Sequence, residues 1–185
     1  MKTMIRIWTR VGLALLALAG ATQAETCRML DHEDRSYAIC EVAAGEDLQL
    51  FLTGADGHPI GTFDRLRDQV QAGGENLVFA MNGGMYHSDR APVGLYVEKA
   101  QEIAPIVTSE GPGNFGLLPN GVFCIAQTGF AVVESRAFAA APPVCSFATQ
   151  SGPMLVIDGA LHPRFLPDSD SRYIRNGVGV SADGQ

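Results

Sequence analysis

The sequence predicts an α+β fold: one domain of mixed or antiparallel β-sheets with few helices. Three observations carry this. Short apolar runs alternate with Gly-, Pro-, Asn- and Asp-rich punctuation along most of the chain, the pattern of strands and tight turns. Only the stretch around residues 63–70 keeps its apolar residues on a helical period. Four segments set Gly beside Asn, Gln or Arg next to apolar runs: FAMNGGMY (79–86), GPGNF (111–115), QSGP (150–153) and RNGVGV (175–180).

Residues 1–24 read as a signal peptide rather than as structure. Lys2, Arg6 and Arg10 form a positive start, and Val11 to Ala19 is an apolar stretch too short to span a bilayer comfortably. Cleavage is expected after Ala24, and an uncleaved anchor is the alternative. Residues 25–185 then form one domain, exported to the periplasm or secreted, with no stable membrane insertion. Loss of the three leader cations takes the net charge from −7 to about −10. That balance argues against nucleic-acid partners, which need a basic surface, but leaves room for a local cationic pocket.

Tyr37 to Val42 and Leu48 to Thr53 read as strands, and residues 54–59 (GADGHP) as a turn. Phe63, Leu66 and Val70 share a helix face, with Thr62 as cap, Asp64 in the first turn and Gly73-Gly74 as the stop. Leu77 to Met81 reads as a buried strand leading into Asn82. Val93 to Glu98 and Ile103 to Val107 are short strands. Gly121 to Ala126 and Phe130 to Glu134 flank a Gln127-Thr128-Gly129 hairpin turn, and Ala137 to Pro143 is an Ala/Pro-rich connection. Met154 to Ile157 and Ala160 to His162 flank Asp158-Gly159, a hairpin signal. Val178 to Val180 begins a strand, and Ala182-Asp183-Gly184 is a turn signal at which the sequence stops. The C-terminal part of the domain is therefore expected to be missing.

Four cysteines follow the leader: Cys27, Cys40, Cys124 and Cys145. An exported chain meets an oxidising compartment, which favours disulfides. Of three pairings, Cys27–Cys40 with Cys124–Cys145 is expected, because each pair brackets a short segment with a turn. Paired C-x-x-C spacing for zinc is absent, so no metal is expected there.

Taken in order, FAMNGGMY, GNF, PNGVF, QSGPMLVIDG and IRNGVGV resemble the phosphodiester glycosidase family, the uncovering-enzyme-like domain. The resemblance covers most of the chain after Cys27 and lies closer to the family's bacterial exported branch. It implies hydrolysis of a glycosyl phosphodiester in an envelope or extracellular glycan. It also implies further strands, a helix and a Leu-Asp-Gly motif beyond Gln185. The alternative is a non-catalytic exported carbohydrate-binding module of the same fold.

Cleavage between an anomeric carbon and a phosphate oxygen passes through an oxocarbenium-like state. The site needs donors for the phosphate and a base or carboxylate on the sugar side. Arg175 is the expected phosphate ligand, since its guanidinium forks onto phosphate oxygens and Asn176-Gly177 leaves room beside it. A structural ion pair is the other reading. Arg172 lies close by in what looks like an ordinary loop. Asn82, flanked by Gly83 and Gly84, is expected to hold sugar or phosphate, against a simple turn role. Gln150 and Ser151 are candidates for sugar hydroxyls, and Asn114 is a further amide in an otherwise ordinary turn.

The acid or base stays open. Asp168 and Asp170 form a D-x-D pair suited to calcium or proton transfer, or to a solvated loop. His87 follows the Asn82 motif and is a candidate general base. Asp158 is explained by its turn, and Glu98 sits at a strand end with no supporting context. No cofactor is predicted; calcium is the divalent cation that the D-x-D pair could hold. G-x-S-x-G and P-loop motifs are absent.

Overall fold

The computed structural model describes residues 26–166, 168–170, 173–182 and 184–185. The expected signal peptide, Ser171, Arg172 and Asp183 lie outside the described residues. The fold is α+β, with two helices and three sheets among the described residues. Every strand pairing among the described residues is antiparallel.

β1 (Thr26–His32) and β2 (Arg35–Glu41) form a two-stranded hairpin. Cys27 faces Cys40 across it, and the two are joined as a disulfide. β1 has no counterpart in the sequence reading. Residues 48–53, expected as a strand, form an extended wall instead. The Leu52 carbonyl accepts the Ile60 N–H at 3.1 Å, while the Leu52 N–H goes to the Glu98 carboxylate at 3.1 Å. A backbone tied off by a short loop and a side chain has little left for a sheet neighbour.

Helix α1 spans Phe63–Ala72. The Thr62 hydroxyl accepts the Arg65 N–H at 3.3 Å, and Gly73 ends the helix, as the capping pattern requires. Residues 77–81 pair with no strand among the described residues. Val78 and Met81 are exposed, so this run is a wall and not the buried strand expected.

The central sheet runs β4-β3-β7-β5-β6. Its strands are β3 (Tyr96–Glu98), β4 (Gln101–Ala104), β5 (Gly121–Ala126), β6 (Gly129–Glu134) and β7 (Phe147–Ser151). Side-chain alternation divides it into two faces. One carries Val122, Cys124 and Ala148 into the core with Leu95, Phe138 and Cys145. The other carries Tyr96, Thr149 and Phe123, a cross-strand row set by the pairings Tyr96↔Thr149 and Phe123↔Thr149. The second disulfide, Cys124–Cys145, sits inside the core, so both bridges pair as expected.

Helix α2 (Ser135–Ala140) replaces the first part of the expected Ala/Pro connection. Glu134 caps it by accepting the Arg136 and Ala137 N–H groups at 2.9 Å each, and Phe138 anchors it on the core face. β8 (Val156–Ile157) and β9 (Ala160–Leu161) form the small hairpin expected around Asp158-Gly159, both with positive φ. Residues 178–180 are not in a strand: Val178 is exposed, and the segment lies along the open side of the central sheet with the groove described next.

Candidate functional site

The second face of the sheet floors an open groove of about 2370 Å³. Tyr96, Thr149 and Phe123 form its base. Its walls include residues 47–52, residues 75–86 and residues 173–181. Asn82, Gly83, Gly84, Arg175 and Asn176 all line it, so the first and last of the four Gly-centred segments meet at one cleft.

The Asn82 loop is held there by close packing. A Cβ on Gly84 would overlap the Thr149 hydroxyl, and one on Gly83 would press on the Leu50 side chain at 3.2 Å. The loop thus lies flat on the floor only because both positions lack side chains. Residues 85–93 then fold back as a tight arm. The Val93 N–H donates to the Met85 carbonyl at 3.0 Å, and the His87 N–H to the Ala91 carbonyl at 2.8 Å. At its tip the Asp89 carboxylate accepts the Ala91 N–H at 3.0 Å, and Arg90 takes a left-handed φ of 74°. The Arg90 guanidinium stacks over the Tyr86 ring at 5.0 Å. Elsewhere on the groove lining the Arg175 guanidinium stacks over Tyr173 at 5.4 Å.

Tyr96 and Glu98 tie the wall to the floor. The Tyr96 hydroxyl donates to Glu98 Oε2 at 3.1 Å, and the same oxygen accepts the Leu52 N–H. Burial, then the adjacent Glu98 charge and this hydrogen bond, push the Tyr96 phenol well above the usual tyrosine range.

Other predicted residues lie elsewhere. Gln150 is buried on the core face, where its amide bonds the backbone of Leu95 and Val107. Ser151 is exposed at the end of β7, and Asn114 is exposed in the 111–117 loop. His87, Asp168 and Asp170 are exposed and are not in the groove lining. The carboxylates that do line it are Glu41, Asp47 and Glu75. Among the described residues no group of three or more His, Cys, Asp or Glu side chains is arranged to hold a metal ion.

Sequence reasoning missed Tyr86, Arg90, Tyr173, Thr149 and Glu75. The aromatic-to-arginine spacings in YHSDR (86–90) and YIR (173–175) were the available signal. It also missed two buried polar side chains, Asn120 and His162. Asn120 donates from Nδ2 to the Phe115 carbonyl at 2.8 Å, while its Oδ1 has no hydrogen-bond partner among the described residues and rests against Gly152. His162 is buried, accepting the Arg164 N–H on Nδ1 at 3.2 Å. That leaves Nε2 as the protonated nitrogen, 3.2 Å from the Leu118 carbonyl.

Residues 75–185, which carry the Asn82 loop, the floor strands and the Arg175 segment, match the family model for phosphodiester glycosidases. The chain belongs to the phosphodiester glycosidase family. It is also similar to the Escherichia coli (strain K12) protein described as "Uncharacterized protein YigE". The two are 35% identical over 176 residues, covering 95% of this chain and 68% of YigE. No solved structure matches. The phosphodiester glycosidase match begins at Glu75, so the β1–β2 hairpin and α1 stand outside it.

Proposed function

We propose that this chain is an exported hydrolase that cleaves a glycosyl phosphodiester in an envelope or extracellular glycan. The carrying observation is that Asn82-Gly83-Gly84 and Arg175-Asn176 line one groove in a phosphodiester glycosidase family member. Export is supported by the charged, apolar N-terminal sequence and by two disulfides.

In this reading Arg175 takes two phosphate oxygens in a fork, and the Asn82 amide orients the sugar or the phosphate. The bond from the anomeric carbon to the phosphate oxygen breaks, and water supplies the new oxygen. Phosphate leaves readily as an anion, so charge stabilisation by Arg175 outweighs proton donation. Glu75, a carboxylate on the groove wall, is the proposed base for the water, ahead of His87, Asp168 and Asp170. Ser151 and Asn114 remain proposed outer contacts for a longer glycan, and Gln150 supports the site from behind.

Arg175→Ala should lower kcat/KM on a sugar phosphodiester by about 10²-fold, the scale of losing one transition-state donor. Glu75→Gln should lower kcat with little change in KM. Undiminished hydrolysis by Arg175→Ala removes Arg175 from the phosphate. The exposure of His87, Asp168 and Asp170 away from the groove favours the second reading, a binding module without turnover. Saturable binding with no product formed by the wild type would establish that alternative.

A further inference from the structure

The groove carries the same device twice. Tyr86 with Arg90 stands on one wall, and Tyr173 with Arg175 on another. In each, a guanidinium stacks on a tyrosine ring while the tyrosine residue remains substantially exposed, 44% for Tyr86 and 76% for Tyr173. Such a pair offers an apolar platform beside a two-pronged anion donor. Sugar rings have apolar faces that settle on aromatic rings, and phosphodiesters take the fork of an arginine. One pair therefore complements one sugar-phosphate unit.

The Arg90 end is also built at a cost. Its φ of 74° lies in the left-handed region that side chains other than Gly, Asn and Asp seldom adopt. The surrounding arm holds it there through the His87–Ala91, Arg90–His87 and Asp89–Ala91 hydrogen bonds. The Asp89 carboxylate is turned to the arm's own backbone. Strain held by a tight arm at a charged, groove-lining position points to use of that side chain.

We propose that Tyr86 and Arg90 form a second sugar-phosphate subsite, so that the groove takes two consecutive units of a glycan whose sugars are joined through phosphodiesters. The inference rests on the phosphodiester reading of the Arg175 end. It makes the natural substrate a repeating phosphodiester polymer rather than a singly capped sugar.

The test compares binding of two probes to the full chain by titration calorimetry: a glucose 1-(methyl phosphate) diester and a short linear oligomer of glucose joined through 1-phosphodiesters. The wild type should bind the oligomer about tenfold more tightly, the scale of one added charge-assisted contact. Arg90→Ala should bring that ratio to about one, with the monomer still bound at the Arg175 end. Arg90→Gly should lose the ratio in the same way while unfolding at equal or higher urea, because glycine relieves the left-handed backbone. Arg175→Ala should weaken both probes. An unchanged ratio in Arg90→Ala, or equal weakening of both probes, overturns the second subsite while leaving the Arg175 end standing. If the wild type binds neither probe, the phosphodiester reading falls and the subsite with it.

Discussion

The side-chain amide of Gln150 pairs with the backbone of Val107. Nε2 donates to the Val107 carbonyl at 2.5 Å, and Oε1 accepts the Val107 N–H at 3.0 Å. The same oxygen accepts the Leu95 N–H at 3.0 Å. One side chain thus satisfies three backbone groups. Gln150→Leu would leave all three without partners, at about 1–3 kcal/mol for each buried group. We expect a loss of about 3 kcal/mol in urea unfolding. A midpoint equal to the wild type would show that the amide is not the strut.

Gly84→Ala should destabilise the Asn82 loop, because the new methyl meets the Thr149 hydroxyl. The cost should be about 1–3 kcal/mol, the range for overpacking. In a double-mutant cycle Thr149→Ala should recover most of that loss, since it removes the opposing atom. Simple additivity of the two changes would mean that the loop does not rest on β7.

Glu134 gives the acid side of the stability profile. Burial tends to raise its carboxyl, but the Arg136 and Ala137 N–H groups, the Ser135 hydroxyl and the Arg136 charge together hold it below the usual range. A depressed folded value means the contribution is present above the unfolded carboxylate pKa and is lost as pH falls through the folded one. Glu134→Ala should cost about 1 kcal/mol at neutral pH, a typical helix-cap loss. The difference from the wild type should shrink on acidification. A difference independent of pH would rule out the charged cap.

Tyr96 gives the alkaline side. Its phenol is raised, so the folded state keeps a proton that the unfolded chain releases near the ordinary tyrosine value of about 10. Stability should fall as pH rises beyond that value, and Tyr96→Phe should fall less steeply. Tyrosinate absorbance should show one tyrosine that titrates only on unfolding. Ionisation of Tyr96 in the native protein near the ordinary tyrosine value would contradict the Tyr96–Glu98 hydrogen bond.

The Cys124–Cys145 bridge closes a 21-residue separation inside the core. A loop of that size implies about 3 kcal/mol from restriction of the unfolded chain. The paired Cys124→Ala, Cys145→Ala variant should show that loss in urea unfolding. Loss of the bridge at no cost in stability would mean that the core alone fixes β5 against the segment before β7.

Much of the local structure was legible. Thr62, Phe63, Val70 and Gly73 marked α1 because a cap, a stripe and a stop act through neighbours a few residues apart. Gln127 to Gly129 and Asp158-Gly159 marked their hairpins for the same reason. Leu77 to Met81 misled because an apolar run reads alike whether it is a core strand or a groove wall. Helix α2 was hidden because its cap is a glutamate, outside the usual Ser, Thr, Asp and Asn set.

The sequence by itself determined the α+β class, the main helix, the tight hairpins, the disulfide partners and the family, all of which rest on short-range spacing or ordered motifs. Only the tertiary structure decided which side of β7 meets the groove. Thr149 pairs in register with Tyr96 and Phe123 on the open face, which turns Gln150, one residue later, to the core face. The register of a strand sets the direction of every side chain on it, and partners far apart in sequence fix that register. Adjacent residues were therefore equal candidates in the sequence and lie on opposite faces in the fold.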